Sequence, residues 1–321
     1  MSAQLASNAN SPTELISVIM PAYNAARFIR EAITSILDQD DPYFEFIIVD
    51  DCSVDNTYLI CAEYAQRDPR VTLLRTPVNS GCCGALNVGL AAAQGKLIAR
   101  MDADDVSLRS RLSTQRAHLE NNPSVGLCGM AIEVMDADGQ RLFTRYTATG
   151  SGLLRRLSSL CSPLAHPTWM LRSEVTNELG GYRELAAAED YDYLLRVLAA
   201  GWELSNIAEV GVRYRVSSSS TAARRALMQR KEFNYVRRIN RNKDHFTRSS
   251  FAACTRSTNL MTQLHQASER LLSKAQANSR TLMPLALVQI AAAVIISPYQ
   301  AQFVCRAVIV KWLIKRYSNR G

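Results

Sequence analysis

Short apolar runs alternate with segments of helical periodicity from Leu15 to Met101, and this alternation limits the fold more than any other feature of the chain. Four of the runs predict strands, the first of them buried: residues 16–20, 44–49, 71–74 and 96–101. Residues 28–37 and 85–93 carry apolar side chains at helical spacing, and Gly95 is placed to end the second helix. Because parallel strands need crossover helices between them, the pattern predicts an α/β fold with a parallel, doubly wound sheet.

The rhythm changes after Asp105, where strands and helices no longer alternate regularly. Three more helices and three more strands are predicted: helices at 111–119, 153–160 and 190–200, and strands at 125–134, 202–207 and 212–216. Residues 136–139 are typical of a turn, and Asp55 is placed to cap a helix in the first half. We therefore expect a loose leader at 1–14, one domain at 15–216 and a C-terminal region at 217–321.

The C-terminal region combines a basic, helix-like segment at 221–250 with two apolar runs at 282–296 and 303–314. The first run is shorter than the roughly 20 residues that a membrane-spanning helix needs. The second contains Arg306 and Lys311, which a bilayer centre would penalise. Three interpretations stay open for these runs: helices on a membrane surface, helices packed in a core, and a spanning hairpin.

Composition limits the class of protein and its partners. An apolar fraction of 47% with 21% charged residues indicates a folded chain, and the net charge of +8 favours anionic partners such as nucleotides, lipid phosphates or membrane surfaces. The eight cysteines form no C-x-x-C pair, so we expect free thiols in a reducing compartment. The polar start lacks a hydrophobic signal core, and we expect a cytoplasmic protein.

Polar clusters follow three of the predicted strands. They are Pro21-Ala22-Tyr23-Asn24, the segment from Asp50 to Asp55, and Asp102-Ala103-Asp104-Asp105. Open parallel sheets bind ligands at the carboxyl ends of their strands, so the three clusters are expected to meet in one cleft. Three carboxylates within four residues repel one another unless a cation is present, and Mg²⁺ or Mn²⁺ prefers such oxygen ligands. The alternative for the last cluster is a solvated acidic turn that caps a helix.

Several motifs, in consistent order and spacing, resemble those of family 2 glycosyltransferases. In the first half they are Ile16-Ser17-Val18-Ile19-Met20-Pro21-Ala22-Tyr23-Asn24, Ile47-Ile48-Val49-Asp50-Asp51, Asn79-Ser80-Gly81, Ala85-Leu86-Asn87-Val88-Gly89, and Ala93-Gln94-Gly95 leading to Asp102-Ala103-Asp104-Asp105. In the second half they are His166-Pro167-Thr168, Gly180-Gly181-Tyr182, Glu189-Asp190-Tyr191-Asp192 and Tyr214-Arg215. The resemblance covers about residues 15–216, and Cys52 stands where the family usually has glycine.

The resemblance implies a GT-A fold, a mostly parallel nucleotide-binding sheet flanked by helices, with a donor half at about 15–105 and an acceptor half at about 106–216. It implies inverting transfer of one sugar from a nucleotide-diphosphate-sugar, expected to be UDP-linked, to a glycan or lipid-linked acceptor. Asp51 would recognise the base, with Pro21 and Tyr23 lining the same pocket. Asp102 would contact the donor, and Asp104 would contact the donor and hold Mn²⁺ or Mg²⁺.

The acceptor half contributes the remaining roles that the resemblance implies. Asp190 would be the general base, with Glu189 as the adjacent alternative, although the same acidic stretch also suits a plain helix start. His166, Glu189 and Arg215 would contact the acceptor or the phosphates. Asp105 is left open between donor contact and helix capping.

Other classes of function fit the sequence less well. A non-catalytic membrane- or nucleic-acid-binding protein would use the basic C-terminal region, but no zinc finger, aromatic stacking motif or recognition helix accompanies those charges. An anionic membrane surface suits the region better, so no nucleic-acid partner is expected. A nucleotidyltransferase would need a glycine-rich phosphate loop after the first strand, where Pro21-Ala22-Tyr23-Asn24 stands. We therefore expect an enzyme of surface polysaccharide assembly, peripheral at the inner face of the plasma membrane.

Overall fold

The computed structural model describes residues 14–216 and 221–242, and then 244, 246–247, 251, 267–268, 271, 289–291, 302, 304–310, 312 and 314. The nine strands are β1 (Ile16–Ala22), β2 (Phe44–Asp50), β3 (Val71–Arg75), β4 (Leu97–Arg100), β5 (Val106–Ser107), β6 (Val125–Met135), β7 (Arg141–Arg145), β8 (Met170–Arg172) and β9 (Glu203–Arg215). The helices are α1 (Ile29–Leu37), α2 (Thr57–Arg67), α3 (Gly81–Ala92), α4 (Arg111–Asn121), α5 (Ser151–Ser158), α6 (Ser173–Leu179), α7 (Glu189–Ala199) and α8 (Thr221–Asn242), with a 3₁₀ turn at His166–Thr168. The predicted α/β class is confirmed.

All nine described strands join one sheet in the order β3-β2-β1-β4-β8-β6-β9-β5, with β7 beside β6. Strands β1 to β4 pair in parallel, β8 runs against β4 and β6, and β9 runs parallel to β6. The strands that share one direction are therefore β1, β2, β3, β4, β6 and β9. The sheet is mostly parallel, as predicted, and the short strands β5, β7 and β8 are the ones that run in the opposite direction.

The core forms on both faces of β1, where six of the seven residues are buried. Helix α1 buries Ile29, Ala32, Ile33 and Ile36 on one face of the sheet. Helix α3 lies on the other face so closely that a Cβ at Gly89 would come within 2.4 Å of the Ile19 Cγ2. Such a separation is shorter than any ordinary contact, so only glycine lets α3 approach β1 here.

The end of α3 and the start of α2 differ from the predictions, and both differences have physical causes. Helix α3 begins at Gly81 and its C-cap is Ala93, so the prediction that Gly95 ends the helix was wrong. A Cβ on Gly95 would lie 2.6 Å from the Leu15 carbonyl oxygen and from the Ser17 amide, so that glycine permits a close approach to β1. Asp55 precedes the N-cap Asn56, and its Oδ1 accepts hydrogen bonds from the Thr57 amide and hydroxyl. The carboxylate therefore fastens the start of α2.

The two strands predicted at 202–207 and 212–216 are one strand, β9, and that prediction was wrong. The intervening Ala208 and Glu209 are polar or exposed and interrupt the apolar pattern. The β6–β9 ladder shifts register on both sides of Ala131, so an irregularity in the pairing accommodates the extra residues without ending the strand. The long β9 consequently runs without a break to Arg215.

Most of the described residues in the C-terminal region are helical. Helix α8 packs on α7 through a stack of Phe233 on Tyr191, whose ring centroids lie 3.6 Å apart. Residues 304–310 are helical, whereas of the apolar run at 282–296 only 289–291 fall within the described residues. The leader predicted at 1–14 lies outside them except for Glu14. Among the described residues, no helix combines the length and apolar character that crossing a bilayer requires.

Candidate functional site

The loops after β1 and β2 meet, as the strand-end clusters predict. The Asn24 amide donates to the Ser53 hydroxyl at 3.0 Å, and the Val54 amide donates to the Asn24 side-chain oxygen at 3.0 Å. Asn24 and Cys52 adopt left-handed backbone conformations, with φ of 49° and 58°. Cys52 thus holds a conformation that favours glycine, the residue usual there in the family it resembles. Beside these turns Tyr23 is half exposed, and Pro21 is partly buried.

Asp51 is buried and fully hydrogen-bonded. Its Oδ1 accepts from the Thr76 hydroxyl and from the Ser80 hydroxyl and amide, all within 2.7–2.8 Å, and its Oδ2 accepts from the Gly81 amide at 2.8 Å. Ser80 and Gly81 are the N-cap and first residue of α3, where backbone amides lack helical partners. The structure therefore gives Asp51 the task of joining the β2 loop to α3, and its predicted contact with a base stays a prediction.

The acidic cluster follows β4. Asp102, Asp104 and Asp105 each offer a carboxylate oxygen within 4.8 Å of the other two. Desolvation in this crevice and the charge of Asp102 raise the pKa of Asp104 from 3.8 to about 6, although its side chain reaches the surface. Burial and the neighbouring carboxylates raise the pKa of Asp105 well above its usual range. Both shifts report negative charge crowded where water solvates it poorly.

Asp105 has one carboxylate oxygen that is free to coordinate a cation. Its Oδ1 accepts a hydrogen bond from the Arg215 amide at 2.8 Å, but its buried Oδ2 has no hydrogen-bond partner among the described residues. Helix α4 begins at Arg111 with Ser110 as its N-cap, so Asp105 caps no helix and that alternative is excluded. Hard carboxylate oxygens in this number and spacing fit a divalent cation such as Mg²⁺ or Mn²⁺.

Arg100 is the functional residue that the sequence analysis missed. This buried guanidinium forms a bidentate ion pair with Asp102, in which Nη1 lies 2.6 Å from Oδ2 and Nη2 lies 2.5 Å from Oδ1. It also lies close enough to lower the pKa values of Asp104, Glu189 and Asp190 by its charge. A lone arginine at the end of an otherwise apolar buried strand was the signal that could have identified it.

Arg215 stabilises the acidic loop that follows β4 through hydrogen bonds. Its Nε donates to the Asp104 carbonyl at 2.8 Å, and its Nη2 donates to the Glu31 carboxylate at 2.6 Å. Its guanidinium also lies 4.5 Å from the centre of the Phe28 ring. The side chain is buried by these contacts, so its predicted contact with phosphate, which stays a prediction, would require it to leave them.

Glu189 and Asp190 begin α7, and the charge of Arg100 acts on both carboxylates. Burial and the charge of Asp190 raise the pKa of Glu189 from 4.5 to about 7. Burial also raises the pKa of Asp190, against hydrogen bonds from the Tyr191 amide and the Ser162 side chain. A helix start by itself lowers carboxylate pKa values, so desolvation outweighs the helix dipole here. A carboxylate with a raised pKa is a better proton acceptor than an exposed one.

His166 is buried within an aromatic cluster. Its Nε2 hydrogen-bonds the Tyr182 hydroxyl at 2.9 Å, and its ring meets Trp169 edge-on with centroids 4.5 Å apart. Burial, together with the charge of Arg100, lowers the pKa of His166 well below its usual range, so the ring is neutral at physiological pH. His166 is therefore a buried member of this aromatic cluster, and its predicted contact with acceptor or phosphate stays a prediction.

Comparisons with known proteins identify related sequences and structures. Residues 17–180 match the family model described as glycosyl transferase family 2. The amylovoran biosynthesis glycosyltransferase AmsE of Erwinia amylovora is 25% identical over 226 residues, which are 70% of this chain and 82% of AmsE.

Two solved structures share the fold. The mannosyltransferase PcManGT of Pyrobaculum calidifontis, in complex with GDP-Man and Mn²⁺, superposes with a TM-score of 0.59 at 20% identity, covering 94% of this chain and 88% of PcManGT. TarS 1–349 of S. aureus, in complex with UDP-GlcNAc, gives 0.56 at 17% identity, covering 95% and 91%. These likenesses confirm the predicted GT-A-type architecture. The family match extends over half of the chain, and the protein is a glycosyltransferase of family 2.

Proposed function

We propose that the protein transfers one sugar, with inversion, from a UDP-linked donor to a hydroxyl of a glycan or lipid-linked acceptor. One observation carries the proposal. The buried guanidinium of Arg100 acts by its charge on both the acidic cluster after β4 and the carboxylates that begin α7, so the two groups lie near the same side chain. A donor held at the first group therefore presents its anomeric carbon toward the second.

On the donor side, Asp104 and the unpartnered Oδ2 of Asp105 are the groups that would hold Mn²⁺ or Mg²⁺. When bound, such an ion neutralises a departing diphosphate. Arg100 fixes both oxygens of Asp102, which leaves that carboxylate oriented for the ribose or the sugar. Arg215 keeps the loop in place through the Asp104 carbonyl and the Asp105 carboxylate.

On the acceptor side, Asp190 serves as the general base. Its carboxylate takes the proton of the acceptor hydroxyl while the hydroxyl oxygen bonds to the anomeric carbon. The bond from that carbon to the diphosphate oxygen breaks on the opposite face, and the nucleoside diphosphate leaves with the electron pair. One displacement from the opposite side inverts the anomeric centre. The raised pKa of Asp190 suits a group that must accept this proton.

The relatives guide the choice of donor and pathway. The TarS complex contains UDP-GlcNAc and the PcManGT complex contains GDP-Man and Mn²⁺, so UDP-sugars and GDP-mannose are the first donors to compare. AmsE is named for amylovoran biosynthesis, which supports a role in surface polysaccharide assembly. We place the enzyme in the cytoplasm, peripheral at the inner face of the plasma membrane, where such acceptors are assembled.

A screen of nucleotide-sugars for thermal stabilisation, with Mn²⁺ and with EDTA, tests the donor assignment, because a ligand that binds only the folded state raises its stability. Asp104→Ala should abolish the Mn²⁺-dependent part of this stabilisation. Asp190→Asn should keep donor binding and lose transfer by about 10²- to 10⁴-fold, the usual contribution of a general base. Asp40→Asn, at an exposed loop aspartate, is the matched control.

Two results would contradict these assignments. Undiminished transfer in EDTA and in Asp104→Ala would remove the metal from the proposal. Near-normal transfer by Asp190→Asn together with loss in Glu189→Gln would move the base to Glu189.

A further inference from the structure

Two adjacent cavities lie along α8 beside the helical residues 304–310, and one of them reaches Asp190 of α7. The inner cavity, of about 540 Å³, is lined by Asp190 and Tyr191 and by Phe233 of α8. The outer cavity, of about 550 Å³, continues along α8 past Arg237 and Arg241. Residues that line both cavities are Leu160, Asn234, Gln302 and Arg306. Each volume falls within the range of small-molecule sites, roughly 300–1,000 Å³.

Arg306 stands at the junction of the two cavities and is held there by α8. Its Nη2 donates to the Asn234 side-chain oxygen at 2.5 Å, and the Asn234 amide in turn donates to the Gln302 oxygen at 2.9 Å. The guanidinium also lies 5.4 Å from the centre of the Phe233 ring, which stacks on Tyr191. The C-terminal segment therefore completes the cavity wall. It also places a positive charge against Phe233, the ring that stacks on Tyr191 of α7.

The charge of the cavities is one-sided. Among the described residues that line the outer cavity, none is acidic. Four are arginines: Arg237, Arg238, Arg241 and Arg306. In the inner cavity Asp190 is the one acidic residue of the described lining. Burial and the charge of Arg237 lower the pKa of Arg306, so these two cations lie close enough to repel each other. An anion among them would relieve that repulsion.

We propose that the two cavities form the acceptor subsite, and that the acceptor carries a phosphate or diphosphate held by Arg237, Arg241 and Arg306 while its hydroxyl lies at Asp190. This inference rests on the proposed function, in which Asp190 receives the acceptor proton. It adds the chemical class of the acceptor: an anionic, phosphate-linked sugar or lipid rather than a neutral glycan.

Phosphate suits the outer cavity better than a single carboxylate does. Guanidinium groups bind phosphate oxygens in pairs, and several arginines match the two or more charges of a diphosphate. Leu160 and Ile309 give the wall of the outer cavity an apolar part beside the arginines. Val308 in residues 304–310 and Trp312 beyond them are 62% and 55% exposed, which provides an apolar surface for a lipid chain next to the charged group.

Calorimetric titration of the full chain with farnesyl diphosphate, inorganic pyrophosphate and farnesol tests the subsite. EDTA in the buffer keeps a diphosphate from binding through a divalent cation at the acidic cluster. Arg237→Gln/Arg241→Gln should weaken farnesyl diphosphate binding by about ten- to hundredfold, the effect of losing one or two charge-assisted contacts. Arg67→Gln/Lys96→Gln removes the same charge from exposed residues away from the cavities and should bind like the wild type.

Three results would overturn the inference: equal farnesyl diphosphate binding by both double variants, farnesol binding as tightly as the diphosphate, or arginine-dependent binding only to phosphatidylglycerol-containing vesicles. The last result would assign the arginines to a membrane surface.

Failure of the subsite and failure of the proposed function give different results. Donor-dependent transfer to phosphate-free acceptors, unchanged in Arg237→Gln/Arg241→Gln, keeps the function and removes the subsite. Arginine-dependent diphosphate binding supports the anion site even where no nucleotide-sugar stabilises the protein, a result that would count against the function alone.

Discussion

Replacing Asp104 by asparagine should stabilise the protein when no divalent cation is present. A pKa raised from 3.8 to about 6 means that the folded state binds the Asp104 proton more tightly than the unfolded chain does. The folded state therefore loses stability as the pH rises from about 4 to about 6, and the loss is complete above the folded pKa. Asparagine keeps the shape of the side chain without the charge, so the loss disappears.

The size of the effect follows from the shift. A pKa change from 3.8 to about 6 corresponds to about 3 kcal/mol. Asp104 is exposed to solvent, and screening at such a site reduces the expected gain to about 1 kcal/mol. Urea unfolding in EDTA at pH 7.5 should show this gain for Asp104→Asn, and at pH 3.5 the two proteins should unfold at the same urea concentration.

Adding Mn²⁺ should reverse the order. The wild type gains stability by mass action, whereas Asp104→Asn gains little because it has lost a charged ligand. Glu120→Gln, at an exposed carboxylate of α4, should stay within about 0.5 kcal/mol of the wild type throughout. An Asp104→Asn protein that is no more stable than the wild type in EDTA, or that gains as much from Mn²⁺, would refute the electrostatic reasoning.

Three further substitutions test separate parts of the structure. Arg100→Met leaves Asp102 without its ion partner and should lower the free energy of unfolding by about 3 kcal/mol, with donor stabilisation lost as well; retained donor binding would contradict the role of Arg100. Cys52→Gly removes a left-handed non-glycine residue and should stabilise the fold by up to about 1 kcal/mol in urea unfolding, and a loss would count against strain at this turn. Gly95→Ala should destabilise by at least about 2 kcal/mol because its Cβ meets backbone atoms at 2.6 Å, whereas Gly152→Ala in α5 meets no atom within 4 Å and should be neutral or stabilising; equal thermal shifts would refute the distinction.

Much of the first half of the fold could be predicted from the sequence because β1, β2 and β4 are almost wholly buried runs, although β3 buries only Val71. β1 and β2 bury nearly every residue, and the polar residues that follow them mark the end of each strand. The convergence of the strand-end clusters then follows from parallel topology alone. The family resemblance added the pairing of these clusters with Glu189 and Asp190, which lie far along the chain.

The rest depends on contacts that no local pattern encodes. The strands β5 and β8 have two and three residues, too few for a recognisable period, and β9 continues through a break in its apolar pattern because β6 shifts register beside it. Arg100 was overlooked because a single charge in a strand carries no periodic signal. Its partner Asp102 is only two residues away, but the start of α7 is brought near it only by the tertiary fold.

The bond from the Arg215 amide to Asp105 joins residues 110 positions apart, and it sets an order of events during synthesis. A ribosome releases β1 to β4 and the acidic residues long before β9 emerges. Loop closure over that distance must precede the contact, which makes it a late, slow-forming one. A nascent chain that stops before residue 215 can therefore build the nucleotide-side core, but its carboxylates lack the strand that holds them in place.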